Sequence, residues 1–167
     1  MAEREEIFSS KIKYNGLFPF ADFYKFCYVW LDEEENFNLS EDKYSEKLIG
    51  EAKDLEIEWK GTKKVTDYFK FEVKAVFKIV GMSQVEINKG GLKLKTNKGG
   101  IELSMKGTLI RDYDGKFEKT AFQKFLRSIY EKWVIKARID QHEEKLIKVC
   151  DGFLTQAKAY LDLEGRK

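Results

Sequence analysis

A single histidine, two cysteines and a single proline are all that this 167-residue chain offers of the residues that most often carry chemistry or interrupt secondary structure. A zinc site or a Cys–His nucleophile pair would have to use His142, which sits in Gln141-His142-Glu143-Glu144 without the HExxH spacing. It reads as a solvated or partly packed ring. Cys27 and Cys150 lie far apart on helical apolar stripes and read as buried free thiols. No GxxxxGK[ST] or GxGxxG opens a helix, which removes the phosphate-loop and dinucleotide fingerprints. Asp112-Tyr113-Asp114-Gly115 begins like a calcium loop, but the later ligand positions are missing, so it reads as a tight turn. Neither a metal nor a cofactor is expected.

Long hydrophobic runs are also lacking. The densest, Leu17 to Leu31, is broken by Asp22 and Lys25 and is too short to span a bilayer. The first six residues are acidic and no apolar segment of the signal-peptide kind follows them. The reading is a cytoplasmic protein with no transmembrane segment.

What the chain does have is apolar and charged residues in clear periods. Hydrophobic residues make up 43% and charged ones 36%, enough for one core-bearing domain and well above the roughly 25% charge of an average soluble domain. Phe69, Phe71, Val73, Ala75, Phe77 and Ile79 alternate with Lys70, Glu72, Lys74, Val76 and Lys78, and the alternation resumes in Ile101, Leu103, Met105 and Leu109. A period of two places one set against a core and the other in water. Shorter strand patterns occur over Phe8 to Tyr14, Tyr44 to Glu51, Leu55 to Trp59, Val85 to Ile87, Leu92 to Leu94 and Lys116 to Glu118, with a short helix expected from Ser40. The tetrapeptide Asn-Lys-Gly-Gly occurs at 88–91 and at 97–100, and both copies read as hairpin turns bracketing a short strand. Pro19 opens an aromatic-rich helix carrying Phe20, Phe23, Cys27, Trp30 and Leu31. From Thr120 the spacing becomes helical, with one stripe at Phe122, Phe125, Leu126, Ile129 and Trp133 and a second, rotated stripe at Ile135, Ile139, Leu146, Cys150, Phe153, Ala157 and Tyr160. A straight helix of that length would outrun the domain, so it either bends near Lys136 to Glu144 or projects.

The expected fold is therefore α+β, a single domain over 1–167. It combines an antiparallel sheet of six to seven strands, a short aromatic-rich helix after the first strand, and a long C-terminal helix over 119–167. This order of elements resembles the helix-grip arrangement of START and Bet v 1-like domains, which implies a curved sheet wrapped on the last helix around an apolar cavity. The segments Val65-Thr66-Asp67-Tyr68-Phe69-Lys70-Phe71 and Phe125-Leu126-Arg127-Ser128-Ile129-Tyr130 also look like small uncharacterised archaeal proteins, a likeness that implies no activity.

Charge is strongly polarised. Residues 32–58 hold 11 Asp or Glu against 3 Lys, and residues 59–106 hold 11 Lys against 4 Asp or Glu, although the whole chain is only +2. No carboxylates form a recognisable acid–base pair. The functional expectation is a non-enzymatic binding or assembly module, self-associating as a homo-oligomer through its polarised charge and the C-terminal positions Ile135, Ile139, Leu146, Phe153 and Tyr160. One alternative is a helix-grip carrier holding a small apolar ligand among Phe71, Phe77, Phe125, Ile129 and Trp133. Another is a nucleic-acid-binding protein using a basic strand face of Lys70, Lys74 and Lys78, joined by Lys106.

Overall fold

The computed structural model describes residues 3–113, 120–129, 132 and 136–166. Strand β1 (Glu3–Phe18) leads into helix α1 (Phe20–Val29), which closes in a π turn over Trp30–Glu34, with Glu35 N–H donating to Trp30 O at 3.1 Å. Strands β2 (Asn38–Ile49), β3 (Ala52–Lys64), β4 (Phe69–Lys89) and β5 (Leu92–Arg111) follow, then helices α2 (Ala121–Ile129) and α3 (Lys136–Arg166). The strands form one antiparallel sheet in the order β1-β5-β4-β3-β2.

Five strands stand where six to seven were expected, because β4 and β5 are each about twice the length the sequence pattern suggests. The segments around Val85–Ile87 and Leu92–Leu94 are the far ends of β4 and β5, paired to each other as Ile87↔Leu94. Gly90 and Gly91 make the hairpin turn with φ of +60° and +83°, positive at both central positions as a type I′ turn requires. The second Asn-Lys-Gly-Gly is no turn: it runs through β5, and a Cβ on Gly99 would come within 2.9 Å of the Met82 Cα. That glycine is needed for a close approach of backbone rather than for a bend. The helix expected at Ser40 is instead part of β2, since pairing with β3 satisfies its backbone. The expected return strand at Lys116–Glu118 lies outside the described residues. Where one long C-terminal helix was expected, the described residues hold two, α2 ending at Ile129 and α3 beginning at Lys136.

One face of the sheet, here the inner face, is covered by α1 and α3. Phe71, Val73, Ala75, Phe77 and Ile79 of β4, Leu103, Met105 and Leu109 of β5, and Ile57 and Trp59 of β3 are buried there. Phe23, Cys27 and Leu31 descend from α1, and Leu146, Cys150, Phe153, Leu154, Ala157 and Leu161 from α3, at the three- and four-residue spacing of one helical stripe. A Cβ on Gly107 would meet Cys150 Sγ at 2.8 Å, so a bare backbone at β5 is what allows α3 to lie so near the sheet. The opposite, outer face has no helix over it among the described residues.

Candidate functional site

Of the five residues expected to line an apolar cavity, Phe71 and Phe77 lie on the sheet and Phe125 and Ile129 on α2. Phe71 and Phe77 are core residues, and the Phe77 ring packs against Phe23, Tyr24 and Trp59 with centroids 6.2, 6.1 and 4.8 Å away. Phe125 and Ile129 lie on α2, where Phe125 is 60% exposed, and Trp133 lies outside the described residues.

The expected self-association stripe is mostly internal. Ile139, Leu146 and Phe153 are buried against the sheet, and Tyr160 stacks on Phe26 at 4.8 Å between ring centroids; Ile135 lies outside the described residues. The roles of the two stripes are exchanged. Phe122, Phe125, Leu126 and Ile129 of α2 are all exposed, because this short helix turns its polar side inward: Arg127 reaches Glu3 at 3.0 Å and the buried Asp112 at 3.7 Å. Charge pairing in a half-buried site orients α2 more strongly than its apolar stripe does.

The basic residues do share a surface. Lys70, Lys74 and Lys78 project from the outer face of β4, and Lys106 of β5 stands directly opposite Lys74. The sequence pattern did not reveal the third member of this row: Lys60 of β3 is opposite Lys74 on its other side. Lys60, Lys74 and Lys106 thus stand abreast on three neighbouring strands, with Ser40 and Ser9 at the two ends of the row. Directly opposed side chains in an antiparallel sheet have Cβ atoms about 5 Å apart, a spacing at which like charges destabilise. Lys60 is relieved by Glu72, 3.0 Å away, and Glu72 also pairs with Arg4. Lys74 and Lys106 make no ion pair among the described residues. Together with Arg4, Asp42 and Glu72 they border a cleft of about 340 Å³.

The Lys60 position was legible in one way. The β3–β4 hairpin pairs Lys64 with Lys70 across its short loop, and counting back four residues from each reaches Lys60 and Lys74. Lys106 was not legible in the same way. Counting from the Gly90-Gly91 turn puts Lys74 opposite Gly107, and only the extra residue inserted at Gly81, whose φ is +64°, shifts the partner to Lys106.

Elsewhere the ionisable groups look structural. Burial pushes the Cys150 thiol up to about 12 and the Cys27 thiol well above its usual value, which leaves both unreactive. Burial, and then hydrogen bonding to Glu41 at 2.6 Å, raises Tyr24 to about 12. His142 lies against Phe69 with ring centroids 4.5 Å apart, and its pKa is lowered by burial and then by Lys145 and Arg138. Among the described residues no group of three or more His, Cys, Asp or Glu side chains could hold a metal ion, and no helix is long and apolar enough to cross a membrane. A cavity of about 1030 Å³ between α2, α3 and the ends of β1 and β5 is lined by charged residues including Glu3, Arg111, Lys124 and Asp140, and the ion pairs that hold α2 in place reach into it. No family model matches this chain, and no curated protein matches its sequence.

Proposed function

We propose that this protein is a non-enzymatic docking module whose working surface is the outer face of the sheet, taking a phosphate-bearing anionic partner. The observation that carries the reading is the row Lys60, Lys74 and Lys106, three cations abreast on adjacent strands with Lys74 and Lys106 lacking an ion pair among the described residues. A sheet selected for stability alone places opposite charges at such positions. Ser9, at one end of the row, adds a hydroxyl donor suited to phosphate oxygens, whereas Ser40 at the other end donates to Asp42 at 3.0 Å. Around the row, Lys70, Lys78, Lys11 and Arg4 extend the positive field, while Glu72 and Glu102 each occupy neighbouring cations.

Long-chain inorganic polyphosphate is the simplest probe. The protein is expected to bind it with an affinity that falls as salt rises, and Lys74→Glu/Lys106→Glu is expected to weaken binding by about tenfold or more. Wild-type protein that ignores polyphosphate at low salt would sink the reading.

A second reading, self-association, is favoured by the exposed stripe Phe122, Phe125, Leu126 and Ile129 on α2 rather than by α3. Light scattering tests it: a concentration-dependent oligomer that Phe122→Ser/Phe125→Ser converts to monomer supports it, and a monomer throughout removes it.

A further inference from the structure

The β4–β5 hairpin runs past the rest of the sheet. β1 stops pairing at Phe18↔Asn97, and beyond that point β4 and β5 pair only with each other, from Val85↔Thr96 to Lys89↔Leu92. The side chains of this arm can be assigned to faces. Asn97 points to the α1 side, where its Oδ1 accepts from Phe20 N–H at 3.1 Å, so Lys95 and Lys93 share that side by alternation. Leu94 and Leu92 then point the other way, with Val85 and Ile87 beside them. That is the side of the Lys60–Lys74–Lys106 row. Leu92 is 68% exposed, Leu94 45%, and Val80 at the root of the arm 64%; none of the arm's apolar residues belongs to the core cluster.

We infer that the arm is a membrane anchor: Val85, Ile87, Leu92 and Leu94 enter the headgroup–acyl boundary of an anionic lipid surface while the lysines of the outer face meet its phosphates. The inference rests on the docking reading above and names its partner. A nucleic acid would use the lysines but would leave the arm idle, and among the described residues the outer face carries no aromatic ring on which bases could stack. A stable protein partner needs an interface of roughly 1,000 Å² or more, which a two-stranded arm with a handful of apolar side chains does not supply. A bilayer asks for less: a few apolar side chains at the boundary, with cations beside them that lower the cost of approach to anionic headgroups. Lys78 and Lys98 supply those cations at the root of the arm, on the same side.

Co-sedimentation with phosphatidylcholine vesicles, with and without phosphatidylserine, tests this on the full chain, alongside polyphosphate binding. The expected result is sedimentation only with phosphatidylserine, weakened about tenfold by Leu92→Ser/Leu94→Ser while polyphosphate binding stays unchanged. Both leucines are exposed, so the variant is expected to keep the wild-type circular dichroism spectrum. An environment-sensitive dye on Leu94→Cys, where the buried Cys27 and Cys150 do not compete for label, should shift to the blue on phosphatidylserine vesicles and stay unshifted on polyphosphate. Polyphosphate or duplex DNA binding without vesicle binding, or vesicle binding indifferent to the arm variant, would overturn the anchor and leave the docking reading standing. Binding to none of these probes would overturn both.

Discussion

The two faces of β4 are built from alternate residues of one strand, yet they obey different physics. On the inner face Phe71, Val73, Ala75, Phe77 and Ile79 are almost wholly out of water and touch α1 and α3. On the outer face Lys74 and Lys78 stand in solvent and Lys70 is half-buried, and Lys74 has a lysine on each side. The inner face is arranged to lower the free energy of the fold. The outer face sets like charges directly opposite one another, an arrangement that does not favour folding. Glu72 sharpens the contrast: it is a buried carboxylate of the outer face, and it is committed to Arg4 and Lys60 rather than to the middle of the lysine row.

The contrast breaks first, and most heavily, on the inner side. Phe77→Ala removes a ring packed between three other aromatic residues and is expected to cost about 3–5 kcal/mol in urea denaturation; a loss under about 1 kcal/mol would mean that this face is not the core. Next comes the residue that joins the two registers. Gly81→Val forces a side chain into a left-handed backbone position and is expected to cost about 1–2 kcal/mol. It should also weaken polyphosphate binding if Lys106 depends on the bulge for its outward aim. On the outer face the sign should reverse. Lys74→Glu places a carboxylate between Lys60 and Lys106 and is expected to raise stability by up to about 0.5 kcal/mol while lowering anion binding. A destabilised Lys74→Glu would show that the lysine row is a structural feature and not a trade against stability.

The smallest effect lies at the edge of the core. The pKa of His142 is depressed in the folded state, so the unfolded chain takes up the proton first as pH falls. Its contribution is present above the unfolded value near pH 6.5 and is lost as pH drops through the folded one. Thermal unfolding from pH 7.5 to pH 5 should therefore show a loss of stability that is smaller in His142→Phe. Equal slopes in the two proteins would remove His142 from the account.

Much of this comparison is legible in the sequence. A period of two over Phe69 to Ile79 identifies both faces of β4, and helical spacing identifies Phe23, Cys27 and Leu31 of α1 and the inward residues of α3, because burial is a property of local geometry repeated along the chain. Other features were not legible. Exposed and buried apolar stripes look alike in sequence, so nothing in the spacing distinguishes Phe125 and Ile129, cavity candidates, from Leu146 and Phe153, self-association candidates; the ion pairs of Arg127, between elements distant in sequence, leave the first exposed and the close approach of α3 at Gly107 buries the second. Two glycine pairs of identical sequence serve as a turn and as a strand crossing, and only their neighbours across the sheet distinguish them.

By itself the sequence determined the class of fold, the inner residues of the long strands and the existence of a lysine-bearing face, since each follows from the period of a single segment. Tertiary structure alone decided that Lys106 stands beside Lys74 and Lys60. Cross-strand register is a sum over a loop, a turn and a bulge, and one residue at Gly81 reverses which way Lys106 points.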